Sequence, residues 1–147
     1  MRLALFNDYQ LGVVQNDRII DVSAAIADLQ DHAPQVRMQR LITQWATRQP
    51  QIAALLAGQR GFAFDEVTFC APLPRPGQLV CLAGNYLEPQ KPERGLFNAF
   101  LKSPNSLIGH GGTVELAPAE ATVFHFEPEL ALVIGKAASR IKAEEAM

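Results

Sequence analysis

The sequence predicts an α+β protein in two parts, a small α/β unit over residues 1–70 and a strand-rich unit over residues 71–147. Three observations carry that division. The opening residues alternate short apolar segments with turn formers, and residues 34–58 switch to a helical period. Between the two parts stands Ala71-Pro72-Leu73-Pro74-Arg75-Pro76-Gly77, a run that can join neither a helix nor a central strand.

The elements follow in order. Arg2–Phe6, Leu11–Gln15 and Arg18–Asp21 are short apolar segments separated by Asn7-Asp8-Tyr9-Gln10 and by Asn16-Asp17. Asn and Asp tolerate turn conformations, so the reading is a small antiparallel meander. Ser23 can then cap a short helix running to Leu29. From Pro34, the residues Met38, Leu41, Ile42 and Trp45 recur at helical spacing, with Arg37, Arg40, Gln44 and Arg48 facing outward. A second helix is expected from near Pro50, with Ile52, Leu55 and Leu56 on one face and Gly58 as its stop. This apolar stripe is core, and no chemistry is visible in the first part. Beyond the proline-rich run, strands are expected at Leu79–Ala83, Phe97–Leu101, Thr113–Leu116 and Leu130–Ile134 with its approach. Gly109-His110-Gly111-Gly112 reads as a turn, because it lacks the strand–turn–helix setting of a phosphate-binding loop. Ala143-Glu144-Glu145-Ala146-Met147 reads as the first turn of a helix, with acids where the helix dipole favours them.

Composition narrows the partners. A net charge of −2, with Lys and Arg scattered rather than clustered, argues against nucleic acid or an anionic membrane surface and leaves a small anionic substrate open. The apolar N-terminal stretch is too short for a secretory signal, and nothing reaches the length of a membrane span, so the cytoplasm is the default expectation. Cys70 and Cys81 sit in apolar surroundings without metal-ligand spacing and read as buried, reduced thiols.

The segment His125-Phe126-Glu127-Pro128-Glu129-Leu130-Ala131-Leu132-Val133-Ile134-Gly135 holds the most chemistry. On a strand, His125, Glu127 and Glu129 share one face, and both faces turn apolar further on, which suggests a strand buried on both sides. Carboxylates leading into a core repel one another and lose hydration, so they need a cation or protons. Side chains at i and i+2 start about 7 Å apart and can converge on one ion. Oxygen-only ligation favours Mg²⁺ or Mn²⁺, with Ca²⁺ a further option, over zinc. The same spacing also fits two solvated carboxylates at the mouth of a strand. His125 stands about 13 Å from Glu129 along such a strand, which makes it a neighbour of the site or a structural histidine rather than a ligand. Val80-Cys81-Leu82-Ala83-Gly84-Asn85-Tyr86 reads as a buried strand ending in a sharp turn. Lys102, after the apolar strand Phe100-Leu101, is either a surface cation or the partner of a substrate carboxylate.

Taken in order, Met1–Val22, Ala71–Gly77, Val80–Tyr86, Phe100-Leu101-Lys102-Ser103-Pro104, Ser106-Leu107-Ile108-Gly109 and Glu127–Lys136 resemble the fumarylacetoacetate hydrolase family. The resemblance covers nearly the whole chain, and its specificity lies in the order and spacing of pieces that are individually weak. It implies a small N-terminal domain followed by the first part of a mixed β-roll or β-sandwich. It also implies a Mg²⁺ or Mn²⁺ site with Glu127 and Glu129 as its first two carboxylates, His125 behind them, and substrate contacts from Asn85, Tyr86 and Lys102. Members of the family act on 2-oxo or 1,3-dioxo acids as C–C bond hydrolases, isomerases, decarboxylases, hydratases or lyases, and a homodimer or higher homo-oligomer is the expected assembly. Many hydrolytic members carry a His three residues after the Asn-Tyr pair and a Glu three further on. Here those positions hold Pro89 and Pro92, with Glu88 or Glu93 as the nearest substitute bases. The third metal carboxylate of the family is expected beyond Met147. The alternative reading is a non-catalytic, split or degenerate module acting in binding or assembly.

Overall fold

The computed structural model describes all of residues 1–147 except Glu88, Lys91, Arg94, Ala117, Ala119 and Met147. Its first 70 residues form a curled antiparallel sheet covered by helices, which together with the later strand pair makes an α+β fold. Strands β1 (Arg2–Phe6), β2 (Gln10–Gln15), β3 (Arg18–Asp21), β4 (Phe62–Ala63) and β5 (Phe69–Cys70) lie in the order β4-β3-β2-β1-β5. The meander expected from the first 21 residues is present. Asn16 and Asp17 take φ of 51° and 55° between the paired residues Gln15 and Arg18. Two consecutive left-handed residues make the tight hairpin turn whose twist matches that of the strands it joins, and Asn and Asp adopt it at low cost.

The inner face of the sheet carries Leu5, Leu11, Val13 and Ile20, which pack with Ile26, Leu29, Met38, Leu41 and Ile52 in one core cluster. The covering layer is a 3-10 helix (Ser23–Leu29) followed by α1 (Pro34–Thr43) and α2 (Trp45–Leu55). On the outer face Phe6 and Ile19 are nevertheless buried, because Gly12 between them has no side chain and the Phe62 ring lies 6.0 Å from that of Phe6.

Four details differ from the sequence expectation. Ser23 does not cap a helix: its hydroxyl oxygen accepts the Leu11 N–H at 2.9 Å, and the Asp21 carboxylate accepts the Ser23 N–H at 2.8 Å. The helices break at Gln44 (φ −99°, ψ 17°) rather than near Pro50, so Pro50 lies inside α2. Proline there removes one helical N–H bond. The carbonyl it would have served belongs to Ala46, which is exposed and can take water instead. Arg37 and Arg48 are half-buried rather than outward-facing. Arg48 donates to both oxygens of Asp28 at 2.7 Å and to the Ala25 carbonyl at 2.9 Å, clamping α2 to the 3-10 helix. Cys70 and Cys81 are free thiols and half-buried rather than buried, and the Cys70 Sγ contacts the Asn7 carbonyl at 3.3 Å.

The proline-rich run lies against the first part. Leu73 packs on the core cluster, and the Arg75 N–H donates to the Gln35 side chain on α1 at 2.8 Å. Beyond it, β6 (Leu79–Leu82) and β7 (Ala99–Lys102) form a two-stranded antiparallel sheet with Leu82 opposite Ala99 and Leu79 opposite Lys102. The strands expected at Thr113–Leu116 and Leu130–Ile134 are not formed: both segments lack a ladder partner among the described residues. The expected burial is overturned with them. Phe126 is 95% exposed, Leu130 80% and Ile134 82%. Alternating or apolar sequence favours a strand only where a neighbour takes up its backbone groups and covers its side chains, and nothing described does so here. The terminal helical turn is present as a short 3-10 segment, Ala143–Glu145, whose Glu145 carboxylate accepts the Lys142 N–H at 3.0 Å.

Candidate functional site

The β6–β7 ladder opens a concavity near the predicted residues. Continuing the register past Leu82 and Ala99, the Ala83 N–H donates to the Asn98 carbonyl at 2.9 Å. The chain then turns at Gly84, whose φ of +62° is costly for any residue with a side chain. Gly95 comes close to the Gly84 carbonyl on the returning limb. A cavity of about 210 Å³ lies between the two limbs, lined by Leu82 to Asn85 and by Gly95 to Asn98. Asn85 and Asn98 are among its lining residues, and a carboxamide can offer two donors and an acceptor to a small polar ligand.

Tyr86 follows directly. Its phenolic oxygen accepts the Leu130 N–H at 2.8 Å, a contact spanning 44 residues of sequence. That bond ties the backbone immediately after Glu129 to the residue next to Asn85, while neither Glu127 nor Glu129 lines the cavity itself. The Glu127 and Glu129 side chains are exposed, and among the described residues no hydrogen bond or ion pair engages either carboxylate. Two acceptor-only carboxylates with free lone pairs suit a hard divalent cation. Among the described residues no third His, Cys, Asp or Glu gathers with them, so they fit as two of the ligands of an ion that completes its shell from water or a bound ligand.

The remaining predicted residues lie elsewhere. Lys102 pairs with Leu79 at the end of the ladder away from the cavity, three residues or about 10 Å along the strand from Ala99. Its ammonium sits 5.9 Å from the centroid of the Phe100 ring, within reach of a weak cation–π attraction. His125 is exposed and makes no hydrogen bond among the described residues. Glu88, the substitute base, lies outside the described residues. His110, read only as part of a turn, stacks edge-on against Phe69 with ring centroids 5.3 Å apart, which fastens the Gly109–Gly112 turn to the edge of the first sheet. Two features escaped the sequence reading: Asn98 as a cavity residue and the Leu130 N–H as the partner of Tyr86. The first follows from pairing β6 with β7, since that register places Asn98 opposite Ala83. No local pattern signals the second.

Three comparisons with known proteins bear on the site. Residues 79–147 match the family model described as "Fumarylacetoacetate (FAA) hydrolase C-terminal". The whole chain is 27% identical to the maleylpyruvate hydrolase of Aquipseudomonas alcaligenes and covers 57% of it. Over 58% of the chain it is 34% identical to the oxaloacetate tautomerase YisK of Bacillus subtilis (strain 168), covering 31% of that protein. Among solved structures it is similar to maleylpyruvate hydrolase from Sphingobium sp. SYK-6 in complex with manganese(II) ion and pyruvate. The TM-score is 0.61 at 30% identity, over 74% of this chain and 39% of that one. The chain thus spans between 31% and 57% of the length of these relatives. The relatives are enzymes of small organic acids, which favours an enzyme over the non-catalytic module. No helix among the described residues is long and apolar enough to cross a membrane.

Proposed function

Because this chain belongs to the fumarylacetoacetate hydrolase family, we propose that it forms part of a divalent-metal-dependent enzyme acting on a 2-oxo or 1,3-dioxo acid. In this reading residues 1–70 are the cap and residues 71–147 carry the site. The observation that supports it most is the Tyr86–Leu130 contact, which links the backbone next to Glu129 to the turn whose Asn85 lines the cavity. The manganese and pyruvate held by the Sphingobium hydrolase match that donor set in kind: a hard cation and a small 2-oxo acid.

Each residue has a role that its chemistry allows. Glu127 and Glu129 supply carboxylate oxygens to Mg²⁺ or Mn²⁺. A divalent cation so held supplies Lewis-acid polarisation of a chelating 2-oxo carboxylate, which favours charge developing on the oxo oxygen. The Asn85 carboxamide and the Tyr86 hydroxyl proton donate to substrate oxygens, and Lys102 offers a cation to a second carboxylate of a longer substrate. Pro89 and Pro92 cannot carry protons, so the reaction proceeds without the His–Glu pair of many hydrolytic relatives. That favours isomerisation, decarboxylation or lyase chemistry over water-driven cleavage. The wide apolar exposure of the second part also supports self-association of subunits.

The reading is tested by titrating Mn²⁺ into the 147-residue chain with and without pyruvate, following the free-ion electron paramagnetic resonance signal. Saturable binding that pyruvate tightens, and that Glu127→Ala and Glu129→Ala each abolish, is the expected result. Equal binding by the variants would remove both glutamates from the site.

A further inference from the structure

We propose that Tyr86 is a positioning residue: by accepting the Leu130 N–H it orients the Glu129–Leu130 peptide and holds Glu127 and Glu129 beside the Asn85 cavity. The inference rests on the metal-site reading of those two glutamates and adds what aims them. Among the described residues, the Tyr86–Leu130 contact is the one hydrogen bond joining residues 120–141 to the rest of the chain. The carboxylates lie within three residues of it.

The local covalent chemistry makes one such bond effective. The peptide unit between Glu129 and Leu130 is planar, so fixing the direction of its N–H fixes the plane from which the Glu129 side chain departs. Pro128 holds its own φ near −65° and restricts Glu127 to extended conformations. The run from Glu127 to Leu130 therefore has few soft dihedrals left, and the Tyr86 hydroxyl constrains the end that proline does not. Both partners are exposed, with Tyr86 at 53%, so the bond competes with water. Its effect falls on orientation rather than on the stability of a core that lies between Leu5 and Ile52. Accepting from the backbone also leaves the phenol with its own proton, which has no acceptor among the described residues and is free for a bound oxyanion.

Tyr86→Phe keeps the ring and deletes the acceptor. Three measurements on the full chain separate the outcomes: amide hydrogen exchange at Leu130, the Mn²⁺ dissociation constant, and the thermal unfolding midpoint. We expect faster Leu130 exchange, a dissociation constant raised roughly three- to tenfold, and an unchanged midpoint. If Glu129→Ala abolishes Mn²⁺ binding while Tyr86→Phe leaves it at the wild-type value, the positioning role is wrong and the metal reading stands. A lowered midpoint with unaltered Mn²⁺ affinity would also overturn it, by showing a structural role alone. If neither glutamate variant changes Mn²⁺ binding, the metal reading itself fails and the positioning role with it, whatever the Leu130 exchange shows.

Discussion

At the scale of single residues, Arg48 and Asp28 show how side chains that look free in a sequence acquire partners. The guanidinium grips both carboxylate oxygens, and its hydrogen bonds, ahead of its charge, hold the Asp28 carboxyl below the ordinary value of 3.8. A carboxyl whose folded pKa is depressed adds stability that is full above its unfolded value and fades as pH falls through the folded one. The melting temperature of the wild type should therefore exceed that of Asp28→Asn by a constant margin at neutral pH, and the margin should shrink below about pH 3.8. A margin that persisted unchanged into acid would mean that the pair contributes nothing through its charge. The proposed site residues divide along the same line. Glu127, Glu129, Asn85 and Tyr86 could be singled out because the order and spacing of their segments resemble the family's, while a Glu-x-Glu pair alone fits solvated carboxylates as well. Asn98 and the Leu130 N–H could not, since each depends on a pairing between distant segments. Lys102 was legible as a cation, but its place at the far end of the ladder depends on the β6–β7 register.

At the scale of elements, the meander and the helical layer could be read because local chemistry and tertiary demand agree there. Turn residues stand between apolar runs, and the apolar positions repeat at helical spacing. Helix limits could be read less well: the break falls at Gln44, with Met38 and Trp45 on either side of it packed in one core, rather than near Pro50, where the second helix was expected to start. Gly12 illustrates close packing within the sheet. A Cβ there would collide with the Ile19 side chain and lie 3.1 Å from the Phe6 ring. Gly12→Ala should consequently destabilise the first part by about 1–3 kcal/mol, measurable as a shift of the urea midpoint at constant slope. A neutral effect would show that Phe6 and Ile19 can move apart without cost. The segment from His125 to Gly135 could be read least. Its apolar residues describe what a strand would bury, and sequence cannot say which neighbour supplies the pairing.

At the scale of the whole molecule, two regimes coexist in one chain. Residues 1–70 bury their apolar side chains in a core, while Leu96, Phe97, Phe126, Leu130 and Ile134 of the later part stand in solvent. An apolar surface of that extent is rare on a soluble monomer. The 147-residue chain should bind a hydrophobic dye strongly and elute from a sizing column ahead of a 16.1 kDa monomer. A dye-silent monomer would mean that the later residues bury this surface among themselves in solution. The same exposure explains why the enzyme reading depends on few contacts: the site rests on a two-stranded sheet, a glycine turn and one tyrosine, with no surrounding layer among the described residues.

The central claim is that Glu127 and Glu129 are carboxylate ligands of a divalent cation that also binds a 2-oxo acid. Titration of Mn²⁺ with pyruvate present, comparing the chain with its Glu127→Ala/Glu129→Ala form, tests it most directly. The account predicts saturable, pyruvate-enhanced binding by the first and none by the second; identical titration curves for the two would contradict it.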